Sequence, residues 1–246
     1  VNSALPQIGR YFEARLTAVE WVAGAYVVAV TALLPTLGRL ADMRGRKSMY
    51  TIGFAIFTIA SGLCALAPTL MVLIAARVLQ ALGGAMMYSN SMAIITEAFP
   101  PHERGRAMGV MGAVVSIGLT LGPSLGGFLV GVMSWHAIFT INLPIGAIGV
   151  LFATRILRAD HVYEEGQHFD IPGALLLLTS LLAFTVALTQ AAHWGWGTFQ
   201  TIGLLALSLA SGLVFVWVEG RVEQPAVDLS LFRNRMFAAS NLSLLI

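Results

Sequence analysis

Two stretches of 48 residues, 107–154 and 171–218, contain no aspartate, glutamate, lysine or arginine. A helix needs about 20 mostly apolar residues to cross the hydrocarbon core of a bilayer. Each stretch is therefore long enough for two membrane spans joined by a short turn. Charged residues make up only 11% of the chain, against about a quarter in soluble domains. The sequence predicts a multi-pass membrane protein.

Other uncharged segments complete the predicted set of helices. Backbone groups in lipid must be satisfied within the protein, and the period-two alternation of a membrane barrel is missing, so the predicted fold class is all-α, a polytopic helical bundle. Residues 1–8 are interpreted as the end of one helix and 236–246 as the start of another, so we expect the chain to be a fragment. The complete spans are predicted near 17–40, 49–67, 70–96, 107–132, 137–155, 171–191 and 199–218.

The basic residues fall mainly on one side of the predicted membrane. Eleven of the fourteen lie in four alternate segments, 39–47, 97–106, 155–170 and 219–235. Lysine and arginine accumulate in cytoplasmic loops, so we expect these segments to face the cytoplasm from a bacterial inner (plasma) membrane. Trp135, Trp194 and Trp196 then fall at the outer interface, where tryptophan is enriched.

The first motif is the segment 38–47, GRLADMRGRK, between the second and third helices. Gly45 permits a tight turn that a side chain would obstruct, and Asp42 lies among four cations that could form an ion-pair network with it. An ordinary positively charged loop with a balancing aspartate is the simpler alternative. That alternative leaves the glycines at 38 and 45 unexplained.

The second motif centres on Arg77, a charge inside a predicted membrane span. Such a charge costs roughly 2.5–3.5 kcal/mol on insertion scales, which makes it a functional candidate. Gln80 and Gly84 follow one and two turns later and share its helix face. The alternative is an arginine near a helix end whose side chain extends to the interface.

The third motif is the segment 118–127, GLTLGPSLGG, in the fifth helix. Gly118, Gly122 and Gly126 recur every four residues on one face, a spacing that lets another helix approach closely. Pro123 removes a backbone hydrogen bond and favours a bend. The same segment fits the G-x-S-x-G pattern of serine hydrolases at Ser124, but that pattern requires a preceding strand and a histidine and acid partner. An intramembrane serine hydrolase using Ser124 therefore remains a remote alternative.

The three motifs together resemble the major facilitator superfamily of membrane transporters, which implies a helical bundle of that type. Residues 38–47 match the family pattern G-x-L-A-D-R-x-G-R-K except at Met43. Arg77 and Gln80 match R-x-x-Q-G-x-G-A, with Ala81 replacing the first glycine. Residues 118–127 match G-x-x-x-G-P-x-x-G-G, which antiporters of the superfamily carry and its symporters generally lack.

The order of segments resembles the fourteen-helix drug:proton antiporters of the EmrB/QacA type, which insert two helices between two six-helix bundles. The opening VNSALP resembles the end of their helix-1 signature, D-x-T-I-V-N-V-A-L-P, through Asn2 and Pro6. The implied domains are an N-terminal six-helix bundle with a truncated first helix (1–158), a cytoplasmic linker (159–170), an inserted helix pair (171–218), a cytoplasmic loop (219–235) and the start of the C-terminal bundle (236–246).

The resemblance implies a proton-coupled antiporter, and no enzyme, that exports drugs or other small amphipathic molecules by alternating access. Arg77 and Gln80 are implied to couple proton movement, with the signature aspartate of helix 1, which falls before residue 1, as proton carrier. The implied gating residues are Gly38, Asp42, Arg44, Gly45, Arg46 and Lys47. The implied antiporter motif of helix 5 comprises Gly118, Gly122, Pro123, Gly126 and Gly127.

The implied energy source is the proton gradient, and we expect no cofactor, metal site or catalytic residue. The expected partners are a hydrophobic or cationic small molecule, the lipid bilayer and, in a Gram-negative cell, a periplasmic adaptor. A dedicated exporter of one metabolite and a nutrient symporter stay open as alternatives, although the helix-5 glycines disfavour the symporter. No G-x-x-x-x-G-K-[ST] segment for nucleotide binding occurs, and basic residues beside membrane spans do not indicate nucleic-acid binding.

Overall fold

The computed structural model describes residues 1–157 and 169–222 of the chain. These residues form helices joined by turns, and seven spans among them are long and apolar enough to cross a membrane. The all-α, polytopic fold class is therefore confirmed. After a short turn at Asn2–Ala4, the helices are α1 Leu5–Tyr11, α2 Leu16–Val19, α3 Trp21–Arg44, α4 Arg46–Ala65, α5 Leu70–Ala98, α6 Arg104–Val132, α7 Ala137–Thr140, α8 Asn142–Ile156, α9 Ile171–Trp194 and α10 Phe199–Glu219.

The chain divides into two compact units, Val1–Tyr163 and Glu164–Ile246. The first unit contains α1 to α8, and the second contains α9 and α10. The predicted linker 159–170 lies outside the described residues except for its last two positions. The predicted loop 219–235 is described only to residue 222, and the predicted helix from 236 lies outside the described residues.

The predicted cytoplasmic loop at 39–47 is wrong in its extent, because almost all of it is helical. α3 continues to Arg44, α4 begins at Arg46, and Gly45 alone separates the two helices. Apolar patterning marks the part of a helix inside the hydrocarbon, whereas the helix itself can extend into the headgroup region. There arginine is both a good helix former and well solvated.

Glycines allow α4 to pack closely against α5 and α8. A Cβ atom added at Gly83 of α5 would lie 2.6 Å from the Gly53 carbonyl oxygen and 2.6 Å from the Phe57 amide nitrogen of α4. A Cβ added at Gly146 of α8 would collide with the Thr58 hydroxyl of α4. Small residues at interfaces let helix backbones approach in this way, so α4 packs tightly between α5 and α8.

α6 carries the third motif and is the least covered helix of its unit, with no buried residue. Apart from the adjoining residues and backbone of α6 itself, no atom of the described residues lies within 4 Å of a Cβ added at Gly118, Gly122 or Gly127. A Cβ at Gly126 would meet only Ser3, whose Oγ would lie 3.7 Å away. The predicted close approach of another long helix is therefore not found within residues 1–157. The short turn at Asn2–Ala4 contacts this helix instead.

An aromatic cluster joins α1 to the turn before α7. Trp135 stacks on His136 with ring centroids 3.8 Å apart, and Tyr11 meets the edges of both rings. Only 1% of Trp135 is exposed, so its side chain packs inside the protein and does not face lipid as a belt residue does. Trp194 and Trp196 of the second unit are exposed, as interfacial residues are.

The second unit is a hairpin of α9 and α10. Small residues of α9, Ala183, Ala187 and Ala191, are buried, and the Ser180 hydroxyl donates a hydrogen bond of 2.9 Å to the Ser208 carbonyl oxygen of α10. The turn between the helices contains Gly195 with φ +93°. Close approach through small residues is typical of membrane helix pairs.

Candidate functional site

Arg77 lies inside the first unit, and only 6% of it is exposed. Its Nε donates a hydrogen bond of 2.8 Å to the Val22 carbonyl oxygen of α3, and its Nη1 donates to Gln80 Oε1. The guanidinium carbon lies 4.1 Å from the ring centroid of Tyr26 and 5.8 Å from that of Phe139. The side chain is thus held between helices and does not extend to the interface.

Among the described residues, Arg77 has no counter-ion for its positive charge. A guanidinium has five N–H donors and no acceptor, and the two hydrogen bonds use two of them. No carboxylate lies within 4 Å of it in the described ranges 1–157 and 169–222. A carbonyl, an amide and aromatic rings reduce the cost of burial, and the site can still accept an anionic group.

Gln80 connects Arg77 to two further helices. Its Nε2 donates a hydrogen bond of 2.6 Å to Ser61 Oγ of α4, and the Ser61 hydroxyl donates to the Phe57 carbonyl oxygen at 2.7 Å. Asn142 Nδ2, in the first turn of α8, lies 3.5 Å from the same Ser61 oxygen. A continuous polar chain therefore runs from α5 through α4 to α8.

Gly84 provides the space in which Tyr26 reaches Arg77. A Cβ added at Gly84 would lie 2.6 Å from the Tyr26 hydroxyl oxygen and 3.4 Å from the adjoining ring carbon. The predicted shared face of Arg77, Gln80 and Gly84 thus has a structural explanation, since the first two residues bond to each other and the third admits the aromatic ring beneath the guanidinium.

Sequence reasoning did not identify Tyr26, Ser61 or Asn142. They lie on three other helices, and spacing along one helix gives no signal about which residues face it from another. Hydroxyl and amide groups inside apolar spans are the one signal that could have selected them, because such groups need hydrogen-bond partners.

The charged side chains of the first motif form part of an ion-pair network at the predicted cytoplasmic end. Arg46 donates through Nε and Nη2 to one Asp42 oxygen, at 2.9 and 2.7 Å, and through Nη1 to Glu97 Oε1 at 2.5 Å. Glu97 lies near the end of α5, outside the motif, and sequence reasoning missed it. Arg46 therefore links the ends of α3, α4 and α5.

The other predicted gating residues of the segment 38–47 lie at or near the same helix ends. Gly45 has φ +102°, a conformation that L side chains rarely adopt. Lys47 Nζ donates a hydrogen bond of 2.9 Å to the Leu157 carbonyl oxygen just after α8, which satisfies an acceptor that the helix end leaves open. Gly38 faces Ser89 of α5, whose Cβ lies 3.6 Å from an added Cβ. Arg44 ends α3 and is exposed.

The N-terminal residues and the helix-5 motif lie beside each other. Asn2 begins the short opening turn, and Pro6 lies in the first turn of α1. Ser3 Oγ donates a hydrogen bond of 3.3 Å to the Pro123 carbonyl oxygen. α6 continues through Pro123 as one helix from Arg104 to Val132.

Within residues 1–157, hydrolase chemistry finds no support around Ser124. His136 Nδ1 forms its hydrogen bond with Ser134 Oγ, at 3.2 Å. Burial lowers the pKa of His136 from its ordinary value. No group of three histidine, cysteine or acidic side chains that could hold a metal occurs in the part of the chain that the structure describes.

Comparison with known proteins connects these features to one family. The Major Facilitator Superfamily model matches residues 1–219. The multidrug resistance protein Stp of Mycobacterium tuberculosis is 39% identical over 97% of this chain and 44% of its own length. The riboflavin transporter RibZ of Clostridioides difficile is 36% identical over 98% of this chain and 52% of its own.

The methylenomycin A resistance protein of Streptomyces coelicolor is 34% identical over 98% of this chain and 51% of its own length. The chain thus spans about half the length of the curated relatives it matches. With its seven candidate membrane spans, the chain belongs to the Major Facilitator Superfamily, a family of multi-pass membrane transporters and not of enzymes.

Proposed function

We propose that this chain is the N-terminal part of a proton-coupled antiporter that exports hydrophobic or cationic small molecules. The observation that carries the proposal is the buried Arg77, which has hydrogen-bond donors to spare and no carboxylate within 4 Å in the described residues. A permanent cation in a membrane interior favours the ionised form of a nearby acid. Movement of an acidic group toward or away from Arg77 would therefore bind and release protons.

Export by alternating access requires two bundles that rock about a central site. The glycine face of α6 is open within the first unit, and it offers a smooth surface for a helix of the second bundle. The Asp42–Arg46–Glu97 network joins the ends of α3, α4 and α5 on the predicted cytoplasmic side. From there Asp42 and its arginine neighbours would hold that side closed by meeting a helix end of the second bundle. Breaking and remaking of these contacts between the two bundles would accompany each cycle.

The fourteen-helix EmrB/QacA type is the proposed branch of the family. The hairpin of α9 and α10 forms a unit separate from α1 to α8, as expected for a helix pair inserted between two bundles. The energy source would be the proton gradient. In a Gram-negative cell, the protein would deliver substrate from the inner membrane to a periplasmic adaptor.

A second candidate is an exporter dedicated to one metabolite. Relatives of similar identity are named for single compounds, including the riboflavin transporter RibZ and the tetracenomycin C resistance and export protein of Streptomyces glaucescens. The two candidates share the proton-coupling site and differ only in the substrate range. A nutrient symporter is disfavoured by the glycine motif of α6.

The first test measures proton-coupled transport by the full-length protein in inverted membrane vesicles. Lipophilic cations added to energised vesicles should collapse the pH gradient if the protein exchanges them for protons. Arg77→Ala should abolish the collapse, whereas Arg155→Ala, which removes an exposed arginine at the end of α8, should not. Collapse that survives Arg77→Ala would exclude this residue from coupling.

Gly122→Leu tests the glycine face of α6. A Cβ added at Gly122, or at Gly203 of α10, meets no other part of the described residues, and both glycines are exposed, so neither leucine is introduced at a crowded position of its own unit. Loss of transport in Gly122→Leu but not in Gly203→Leu would indicate that another helix packs on α6. No response of the wild-type protein to any cation, together with transport of one metabolite, would favour the dedicated exporter.

A further inference from the structure

The Ser61 hydroxyl has only one way to interact with Gln80. Ser61 is fully buried, and its single proton is committed to the Phe57 carbonyl oxygen one turn earlier, at 2.7 Å. A hydroxyl carries one donor and two acceptor lone pairs. Toward all its other neighbours, Ser61 can therefore only accept.

This restriction determines which end of the Gln80 amide faces which neighbour. The NH₂ group must face Ser61, at the observed distance of 2.6 Å, and the carbonyl oxygen then faces Arg77. The reversed amide would place N–H donors opposite the guanidinium, which has donors only. It would also leave two oxygens facing each other at Ser61, and both mismatches would be buried.

Asn142 acts on the same oxygen from a third helix. Its Nδ2 lies 3.5 Å from Ser61 Oγ, so a second donor also requires Ser61 to accept. Groups from α4, α5 and α8 thus meet at the Ser61 oxygen. Together they fix which group donates and which accepts in the series of hydrogen bonds that leads to Arg77.

We propose that Ser61 is a positioning residue, which fixes the amide orientation of Gln80 and thereby holds the Arg77 guanidinium in place. The inference rests on the proposed role of Arg77 in proton coupling and deepens it. Ser61 does not contact Arg77 through any hydrogen bond in the structure. It acts through Gln80, and its loss would release the guanidinium from one of its two hydrogen-bonded positions.

Three variants of the full-length protein separate this role from ordinary packing. Ser61→Ala removes the acceptor. Ser61→Thr retains it, since threonine can make the same backbone bond in this helix, as Thr58 does to the Phe54 carbonyl oxygen at 2.7 Å. Ser211→Ala is the matched control, because Ser211 is also buried and donates to a carbonyl one turn earlier, at 2.6 Å.

The primary measurement is nuclear magnetic resonance of protein labelled with ¹⁵N-arginine, in which Arg77→Lys identifies the Arg77 signals. A held guanidinium gives two resolved Nη resonances, and a rotating one gives a single average. We expect two in the wild type, Ser61→Thr and Ser211→Ala, and one in Ser61→Ala. Proton-coupled transport in Ser61→Ala should fall by roughly fivefold or more, as expected for one lost buried hydrogen bond.

Two resolved Arg77 Nη resonances in Ser61→Ala would overturn the proposal. Merging of the two Arg77 Nη resonances in Ser211→Ala, as in Ser61→Ala, would overturn it as well. Failure of the proposed function gives a different result. If the Arg77 Nη resonances merge in Ser61→Ala but the variant transports as well as the wild type, or neither protein transports, Ser61 still orients Gln80. In that case, holding the guanidinium has no part in proton-coupled transport.

Discussion

A methyl group added at Gly83 would occupy space that the backbone of α4 already fills. The nearest atoms to the new Cβ would be the Gly53 carbonyl oxygen and the Phe57 amide nitrogen, both at 2.6 Å, and the Phe57 Cα at 3.0 Å. Backbone atoms cannot move aside by changing rotamer. Gly83→Ala is therefore expected to push α4 and α5 apart.

The size of the effect follows from these distances. Ordinary van der Waals contact begins near 3.4 Å, so the helices must separate locally by about 0.8 Å, and overpacking of this kind costs typically 1–3 kcal/mol. Alanine also favours the helix over glycine by roughly 0.8–1 kcal/mol. Gly203→Ala has the same helix benefit with open space around it, so the difference between the two variants isolates the packing cost. We expect the free energies of unfolding of the two variants to differ by about 2–3 kcal/mol, near the upper end of the overpacking range.

Unfolding in mixed detergent micelles, followed by tryptophan fluorescence during titration with dodecyl sulfate, measures both variants under the same conditions. Gly83→Ala should unfold at lower detergent fraction than the wild type, and Gly203→Ala should not. A difference below about 0.5 kcal/mol, the usual range for substitutions that touch nothing, would refute the close approach of α4 and α5 at this point.

Three further predictions concern the Asp42–Arg46–Glu97 network, the Tyr26 ring beneath the Arg77 guanidinium, and His136 in the aromatic cluster around Trp135. A double-mutant cycle of Glu97→Gln with Arg46→Ala should give a coupling of about 0.2–1 kcal/mol that falls at high salt, because both groups are partly exposed. Gly84→Ala should displace Tyr26 and reduce proton-coupled transport in inverted vesicles without preventing insertion. Because burial lowers the pKa of His136, this histidine should titrate below about 6.5 in a proton NMR titration. The unfolded chain then binds the proton first as pH falls, so the free energy of unfolding should decrease below about pH 6.5. His136→Phe should remove this decrease.

The membrane spans could be predicted from sequence because one physical requirement, burial of about 20 apolar residues per crossing, dominates them. Their ends could not. The segment 38–47 is too charged to be read as part of a span, yet α3 and α4 extend through it and leave only Gly45 between them. The polarity of the sequence indicates where the hydrocarbon core of the membrane ends. The backbone hydrogen bonds of a helix can continue beyond that point, so polarity does not indicate where the helix ends.

The candidate site was predictable only where its residues are neighbours on one helix. Arg77 and Gln80 are three residues apart, and a charge in a span attracts notice by its cost. Tyr26, Ser61 and Asn142 reach the same place from other helices, and Glu97 reaches Arg46 from 51 residues away. Which residues meet across helices depends on rotation and depth of packing, and the pattern of one span does not contain that information.

The polar chain through Ser61 also has consequences during biosynthesis. Ser61 and Gln80 are made well before Asn142, which follows Ser61 by 81 residues. At bacterial and eukaryotic synthesis rates of roughly 5–20 residues per second, the ribosome reaches Asn142 about 4–16 s after Ser61. During that interval the hydroxyl, amide and guanidinium of α4 and α5 would lack the partner that Asn142 of α8 provides in the folded protein. Insertion factors that retain these two helices until α8 emerges would protect the polar side chains from lipid.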